Sequence, residues 1–212
     1  MNVINYLCNV GALCLRIAVK RLGGKGLGKI PVISSIYYSL IKLFCHSVSR
    51  VDVEGIGVFY VPSVSLLDYE SYEPFTLQLF KRTIATGMTV VDLGAYIRYF
   101  TIIASQLVGK SGKVYSFEPE SSSYALLTQN IETNNCYNVI PVKKAVANQP
   151  GAVAFFLDPH RPARSSLFPY RKRIQKKENR IFVETVRLDD FLANEHCDRV
   201  HVVKIDIEGA EL

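Results

Sequence analysis

Apolar runs and amphipathic stretches alternate along the second half of the chain. "MTVVDLG", "KVYSFEPE", "YNVIPVKKAVA" and "RVHVVKIDIEG" are short, nearly continuous apolar runs that read as buried strands. Between them, "IRYFTIIASQLVG" reads as a helix ending near Gly109. "SSSYALLTQNIETNN" reads as another, with a serine as its N-cap, and "DDFLANEH" as a short helical turn. "GAVAFFL" and "RIFVETVRL" add two strands on either side of a basic loop. Strand–helix alternation of this kind predicts an α/β domain built on a mostly parallel, doubly wound sheet. "VHVVKI" is apolar throughout, the pattern of a strand covered on both faces.

Upstream the pattern changes. "VDVEGIGVFYVP" alternates and turns at Gly55, which predicts a hairpin. "YEPFTLQLFKRTIATG" predicts a helix with Pro74 in its first turn, Leu77, Phe80 and Ile84 on one face, and Gly87 at C′. Residues Val32 to Val48 read as helical and apolar. "LGGKGLGKIP" has glycines and lysines but no GK[ST] ending and no strand before it, so it reads as a linker and not a phosphate loop. The division expected is residues 1–70 as a helical and hairpin extension and residues 71–212 as the α/β domain.

Composition adds little: of 212 residues, 49% are hydrophobic and 21% charged, as in an ordinary globular protein. The +6 formal charge is concentrated in Arg161 to Arg180, which holds eight Lys or Arg residues against one acidic residue, Glu178. That stretch reads as a solvated loop, and without an aromatic platform it gives no reason to expect nucleic acid as a partner. The five cysteines are scattered and the four histidines show no metal-ligand spacing, so no metal site and a reducing, cytoplasmic compartment are expected. "MNVINYLCNVGALCLRIAVKR" is interrupted by Asn5, Asn9 and Arg16; it reads as an amphipathic helix docked on protein or lying against a membrane surface.

In open α/β sheets ligands bind outside the carboxyl ends of the strands. That rule selects Asp92 and Gly94, Glu118, Ala145 and Asp206. Gly94 permits a sharp turn and close backbone approach, and a carboxylate at Glu118 can accept both hydroxyls of a ribose. The turn "VVDLGAYIRYF" is not a dinucleotide fingerprint, because Tyr96 and Tyr99 stand where G-x-G-x-x-G requires glycine. Asp92 would repel a pyrophosphate but suits a cation. A sulfonium with a free amino group is such a ligand, which favours S-adenosylmethionine over a nicotinamide dinucleotide.

"VVDLGAYIRYFT", "KVYSFEPE", "NVIPVKKAVAN", "VETVRLDDFL" and "VVKIDIEGAEL" resemble, in order and spacing, the motifs of the FkbM-type methyltransferases over about Glu73 to Leu212. The resemblance implies a class I methyltransferase (Rossmann-like) fold and methyl transfer from S-adenosylmethionine to a hydroxyl of a sugar or natural product. The acceptor is then a small molecule or a glycan. Carried over by position, Asp92, Gly94, Ala95 and Tyr96 line the methionine end of the cofactor, Glu118 holds the ribose and Ala145 borders the adenine. Asp206 and Glu208 face the transfer site, where Asp206 contacts the cofactor first and serves as a base second. Two positions depart from the family pattern, Tyr96 where Asn is usual and Arg98 where Gly is usual. The sequence also stops at Leu212, so the expected sheet is incomplete at its C-terminal side and offers an edge to a partner chain. Two readings stay open: an active O-methyltransferase, or a remnant that keeps the half-sheet as a binding module.

Overall fold

The computed structural model describes residues 48–53, 55–62, 74–97, 99–158, 165–168 and 179–207. The expected helices within residues 1–47, Arg98, Glu208 and most of the basic loop lie outside them. The chain divides into two compact units, Met1–Val53 with Val58–Pro74, and Glu54–Gly57 with Phe75–Leu212. In the first, β1 (Val48–Val53) and β2 (Gly57–Pro62) form a two-stranded sheet. Gly55 takes the expected turn at φ 73°.

The second unit carries a four-stranded sheet. β3 (Thr89–Leu93) is followed by α2 (Tyr99–Val108), β4 (Lys113–Phe117), α3 (Ser121–Thr133) and β5 (Val139–Val142). After three more strands and α4 (Leu188–Asn194), the chain returns as β9 (Val202–Ile205). The order in space is β5-β4-β3-β9, every pair parallel. The chain moves outward from β3 to β5 and then crosses back to β9 on the other side of β3. The reversal of strand order therefore lies between β3 and β9, where open sheets of this type bind ligands.

Alternation along the strands gives the two faces different work. Val91, Leu93, Tyr115, Phe117 and Val142 form one buried cluster. Phe191 of α4 meets Tyr115 and Phe117 edge-on, with ring centroids 5.5 and 5.0 Å away. On the opposite face Asp92 and Ser116, register partners on adjacent strands, meet Thr101 of α2. Asn138 ties the end of α2 to the sheet: its side-chain amide donates to the carbonyls of Ser105 and Gly109 at 2.9 and 2.8 Å. Each of those carbonyls also accepts a backbone N–H, from Gly109 and Gly112, so Asn138 adds a second bond to both.

Several details differ from the sequence reading. The helix α1 (Pro74–Thr83) ends before Gly87, which instead turns at φ 83° and donates its N–H to the Val108 carbonyl. The stretch "YNVIPVKKAVA" is not one strand. It splits at Lys143–Lys144 into β5 and the short β6 (Ala145–Val146), which pairs with β8 (Arg180–Val186) in a second sheet of order β6-β8-β7. β7 (Gly151–Phe156) runs antiparallel to β8. β9 alternates between half-buried and exposed, so among the described residues it is not covered on both faces.

The N-cap of α3 is Glu120 and not a serine. Its carboxylate accepts from the N–H groups of Ser122 and Ser123 at 2.9 and 2.7 Å, and a negative charge at this end also suits the helix dipole. Glu120→Ala removes both bonds and is expected to cost about 1 kcal/mol, read as a shift of the urea midpoint without a change in slope. Among the described residues no helix is long and apolar enough to cross a membrane, and no cluster of His, Cys, Asp or Glu is arranged to hold a metal ion.

Candidate functional site

A cleft of about 600 Å³, open mouth included, lies at the carboxyl ends of β3, β4 and β6. Four strand ends supply its walls. From β3 come Leu93, Gly94 and Tyr96, from β4 Phe117 and Glu118, from the β5–β6 region Lys144 and Ala145, and from β9 Asp206. Phe155 and Leu167 add apolar surface on the side of the second sheet.

Gly94 makes the β3 turn work. It sits at φ 77°, a conformation open to glycine without strain. A Cβ there would overlap the backbone carbonyl of Asp206, so the β3 and β9 turns are in direct backbone contact. Gly94 and Ala95 both donate to the Phe117 carbonyl, at 3.1 and 3.0 Å, which fixes the turn against β4. Tyr96 follows at φ 51°, a left-handed conformation that Asn tolerates better than an aromatic residue.

The Tyr96 N–H points at Glu118 and donates to its Oε2 at 2.9 Å, while the Glu120 N–H donates to Oε1 at 2.9 Å. Glu118 is only 6% exposed. Burial raises its carboxyl from 4.5 to about 8, against the two backbone hydrogen bonds that favour the ionised form; Glu120 and Asp92 add like-charge repulsion. Once the carboxyl is ionised, each oxygen has spent one lone pair on the backbone and keeps another for a ligand hydroxyl.

Asp92 does not reach the cleft. It is wholly buried beneath it, where Oδ2 accepts from the Thr101 hydroxyl at 2.7 Å and Thr101 in turn lies 2.6 Å from the Ser116 hydroxyl. Oδ1 faces Lys204 Nζ at 3.2 Å, an ion pair whose angle falls short of a hydrogen bond. Lys204 also reaches Asp206 Oδ2 at 3.6 Å and donates to the Gly94 carbonyl at 3.2 Å, with its ammonium 5.3 Å from the centre of the Phe100 ring. Burial disfavours its charge, but Asp92 and Asp206 outweigh burial and hold the ammonium above the ordinary lysine range.

Of the residues selected from the sequence, Gly94, Tyr96, Glu118, Ala145 and Asp206 therefore come together in one cleft. Ala95 is buried behind its wall. Glu208 and Arg98 fall outside the described residues. Lys204 was missed. It sits inside an apolar run, and only the pairing of Asp92 with Lys204 across β3 and β9 reveals it.

Residues 92–212 match the profile of the Methyltransferase FkbM domain. The chain belongs to this family. Its FkbM domain has the doubly wound class I methyltransferase fold that the strand order describes. Similar proteins include Methyltransferase 1 of Beauveria bassiana (strain ARSEF 2860), 26% identical over an alignment of 138 positions that covers 58% of this chain and 55% of that protein. Methyltransferase sdnD of Sordaria araneosa is 26% identical over an alignment of 149 positions that covers 58% of this chain and 57% of that one. The chain thus spans little more than half the length of these relatives. Among solved structures, M. jannaschii TYW2 in complex with AdoMet is 27% identical and aligns over 45% of this chain and 42% of its own, at a TM-score of 0.35.

Proposed function

We propose that the FkbM domain binds S-adenosylmethionine in the cleft and transfers its methyl group to a hydroxyl oxygen of a sugar or natural product. One observation carries this reading: a buried carboxylate, Glu118, closes one strand end of a cleft whose neighbouring strand end is the glycine turn at Gly94. The residues present suit such a ligand. The free lone pairs of Glu118 match a ribose diol. Ala145 and Phe155 offer apolar surface to an adenine, and the Gly94 turn lets the backbone approach the amino-acid end. Bound there, the cofactor supplies an electrophilic methyl on sulfur. The chain's own part is to hold donor and acceptor in line, because a positioned pair replaces a bimolecular encounter. Asp206, with 39% of its side chain exposed, would contact the cofactor's amine first and take the proton of the hydroxyl nucleophile second.

Calorimetric titration with S-adenosylhomocysteine tests the site. The natural chain is expected to bind, and Glu118→Ala to lose about 10- to 100-fold in affinity through two charge-assisted hydrogen bonds. Equal affinity of the two proteins would remove Glu118 from the ribose. The pH dependence gives a second check. With the folded carboxyl at about 8, affinity rises between pH 7 and 9 as the acceptor form appears. Stability moves the other way: the folded chain keeps a proton that the unfolded chain releases at about 4.5. The contribution is complete below that pH, falls by about 1.4 kcal/mol per pH unit above it, and is lost once pH passes 8.

A second reading, a binding module without turnover, is favoured by Tyr96, an aromatic residue held at φ 51° on the cleft wall where the family pattern has Asn. Binding of S-adenosylhomocysteine without methyl transfer to any hydroxyl acceptor supports that reading over the first.

A further inference from the structure

We infer that Lys204 sets how strongly the cleft prefers the sulfonium donor over its thioether product, by standing between Asp92 and Asp206 and cancelling one of their two charges. The inference rests on the S-adenosylmethionine reading of the cleft. A cationic ligand in the cleft is expected to meet the carboxylate of Asp206 and to feel the charge of Asp92 from beneath the wall, and the chain has already placed a cation of its own between the two. The ammonium of Lys204 lies 3.2 Å from Asp92, 3.6 Å from Asp206 and 3.2 Å from the Gly94 carbonyl. One hydrogen bond and two ion pairs hold the ammonium from three sides, so this is an anchored charge and not a surface lysine that swings in and out. With the side chain only 12% exposed and Asp92 facing it across the β3–β9 register, water screens the group weakly.

Charge arithmetic then follows. Asp92 and Asp206 contribute −2 and Lys204 +1, which leaves −1 beside the amino-acid end of the ligand. Donor and product differ by one positive charge, on sulfur, so their affinity ratio reads that local charge directly. Without Lys204 the donor would meet −2 and be favoured further. With Lys204 the net −1 favours the donor only about tenfold, so product competes with donor more strongly than it would without Lys204. At the few-ångström separations of such a site, one unit of charge changes the ratio about tenfold.

The test is calorimetric titration of the full chain with S-adenosylmethionine and, separately, with S-adenosylhomocysteine. The ratio of the two dissociation constants is compared across variants, because general loosening of the site weakens both ligands and leaves the ratio in place. Lys204→Met is expected to raise the donor preference about tenfold, and Lys204→Arg, which keeps the charge, to leave it within about twofold. Asp206→Asn, which leaves Lys204 paired with Asp92 and the local charge at zero, is expected to bring the ratio close to one. If circular dichroism shows Lys204→Met unfolded, Asp206→Asn decides the matter alone. A ratio unmoved in the folded variants, with S-adenosylhomocysteine still bound, overturns the role of Lys204 and leaves the cofactor reading standing. Failure of the natural chain to bind either ligand removes the cofactor reading and this inference with it.

Discussion

Asp92→Ala is expected to destabilise the FkbM domain by about 3–5 kcal/mol, because it strands the ammonium of Lys204 in a site only 12% exposed. The Thr101 hydroxyl loses its acceptor in the same substitution. Urea unfolding followed by circular dichroism measures the loss, and a change below about 1 kcal/mol would show that Asp206 alone satisfies Lys204. The double variant Asp92→Leu with Lys204→Met removes both charges at once. It is expected to recover most of the loss, since well-packed apolar residues often replace a buried ion pair at little cost. With the natural chain and the single variants Asp92→Leu and Lys204→Met, it closes a double-mutant cycle whose coupling term isolates the pair.

Gly94→Ala is expected to abolish S-adenosylhomocysteine binding and to destabilise the domain by about 2–6 kcal/mol. Two independent effects combine. A residue with a Cβ is strained at φ 77°, and the added carbon overlaps the Asp206 carbonyl, so the β3 and β9 turns must separate. Backbone cannot yield as a flexible side chain does, and the separation also pulls the Gly94 carbonyl away from Lys204. Calorimetry and urea unfolding read the two effects separately. Normal affinity in a folded Gly94→Ala protein would mean that the contact of the two turns is irrelevant to the cleft.

The parallel sheet was legible in the sequence because each strand is a compact apolar run bounded by turn residues, and the strand-end rule then chose Gly94, Glu118, Ala145 and Asp206 with no knowledge of their spacing in space. What stayed hidden depends on distance across the fold. Lys204 lies within "VHVVKI", which patterning alone reads as one apolar run, and its partner is visible only when β9 is laid against β3. Glu120 escaped notice as a cap because serines follow it directly, yet its longer side chain reaches back over the first turn. The division of "YNVIPVKKAVA" into two strands follows from β8, which pairs with Ala145 and Val146 and draws them out of the main sheet. The departure at Tyr96 gains a physical meaning from its φ of 51°: the Asn usual in the family tolerates that backbone better, so the domain keeps a small strain at the edge of its cleft.

The polar row Ser116–Asp92–Lys204 also bears on how the chain finds its native pairing. β9 joins a strand whose partner residues lie 112 positions earlier, as with Thr89 and His201, so this contact is among the last that chain entropy allows. Val202, Val203 and Ile205 would serve an apolar neighbour about equally well in more than one alignment. A slip of one residue, however, sets a valine or an isoleucine against the Asp92 carboxylate and turns Lys204 to the other face. The ion pair thus acts as a registration key for the last parallel strand, selecting one alignment from several that hydrophobicity alone would leave close in energy.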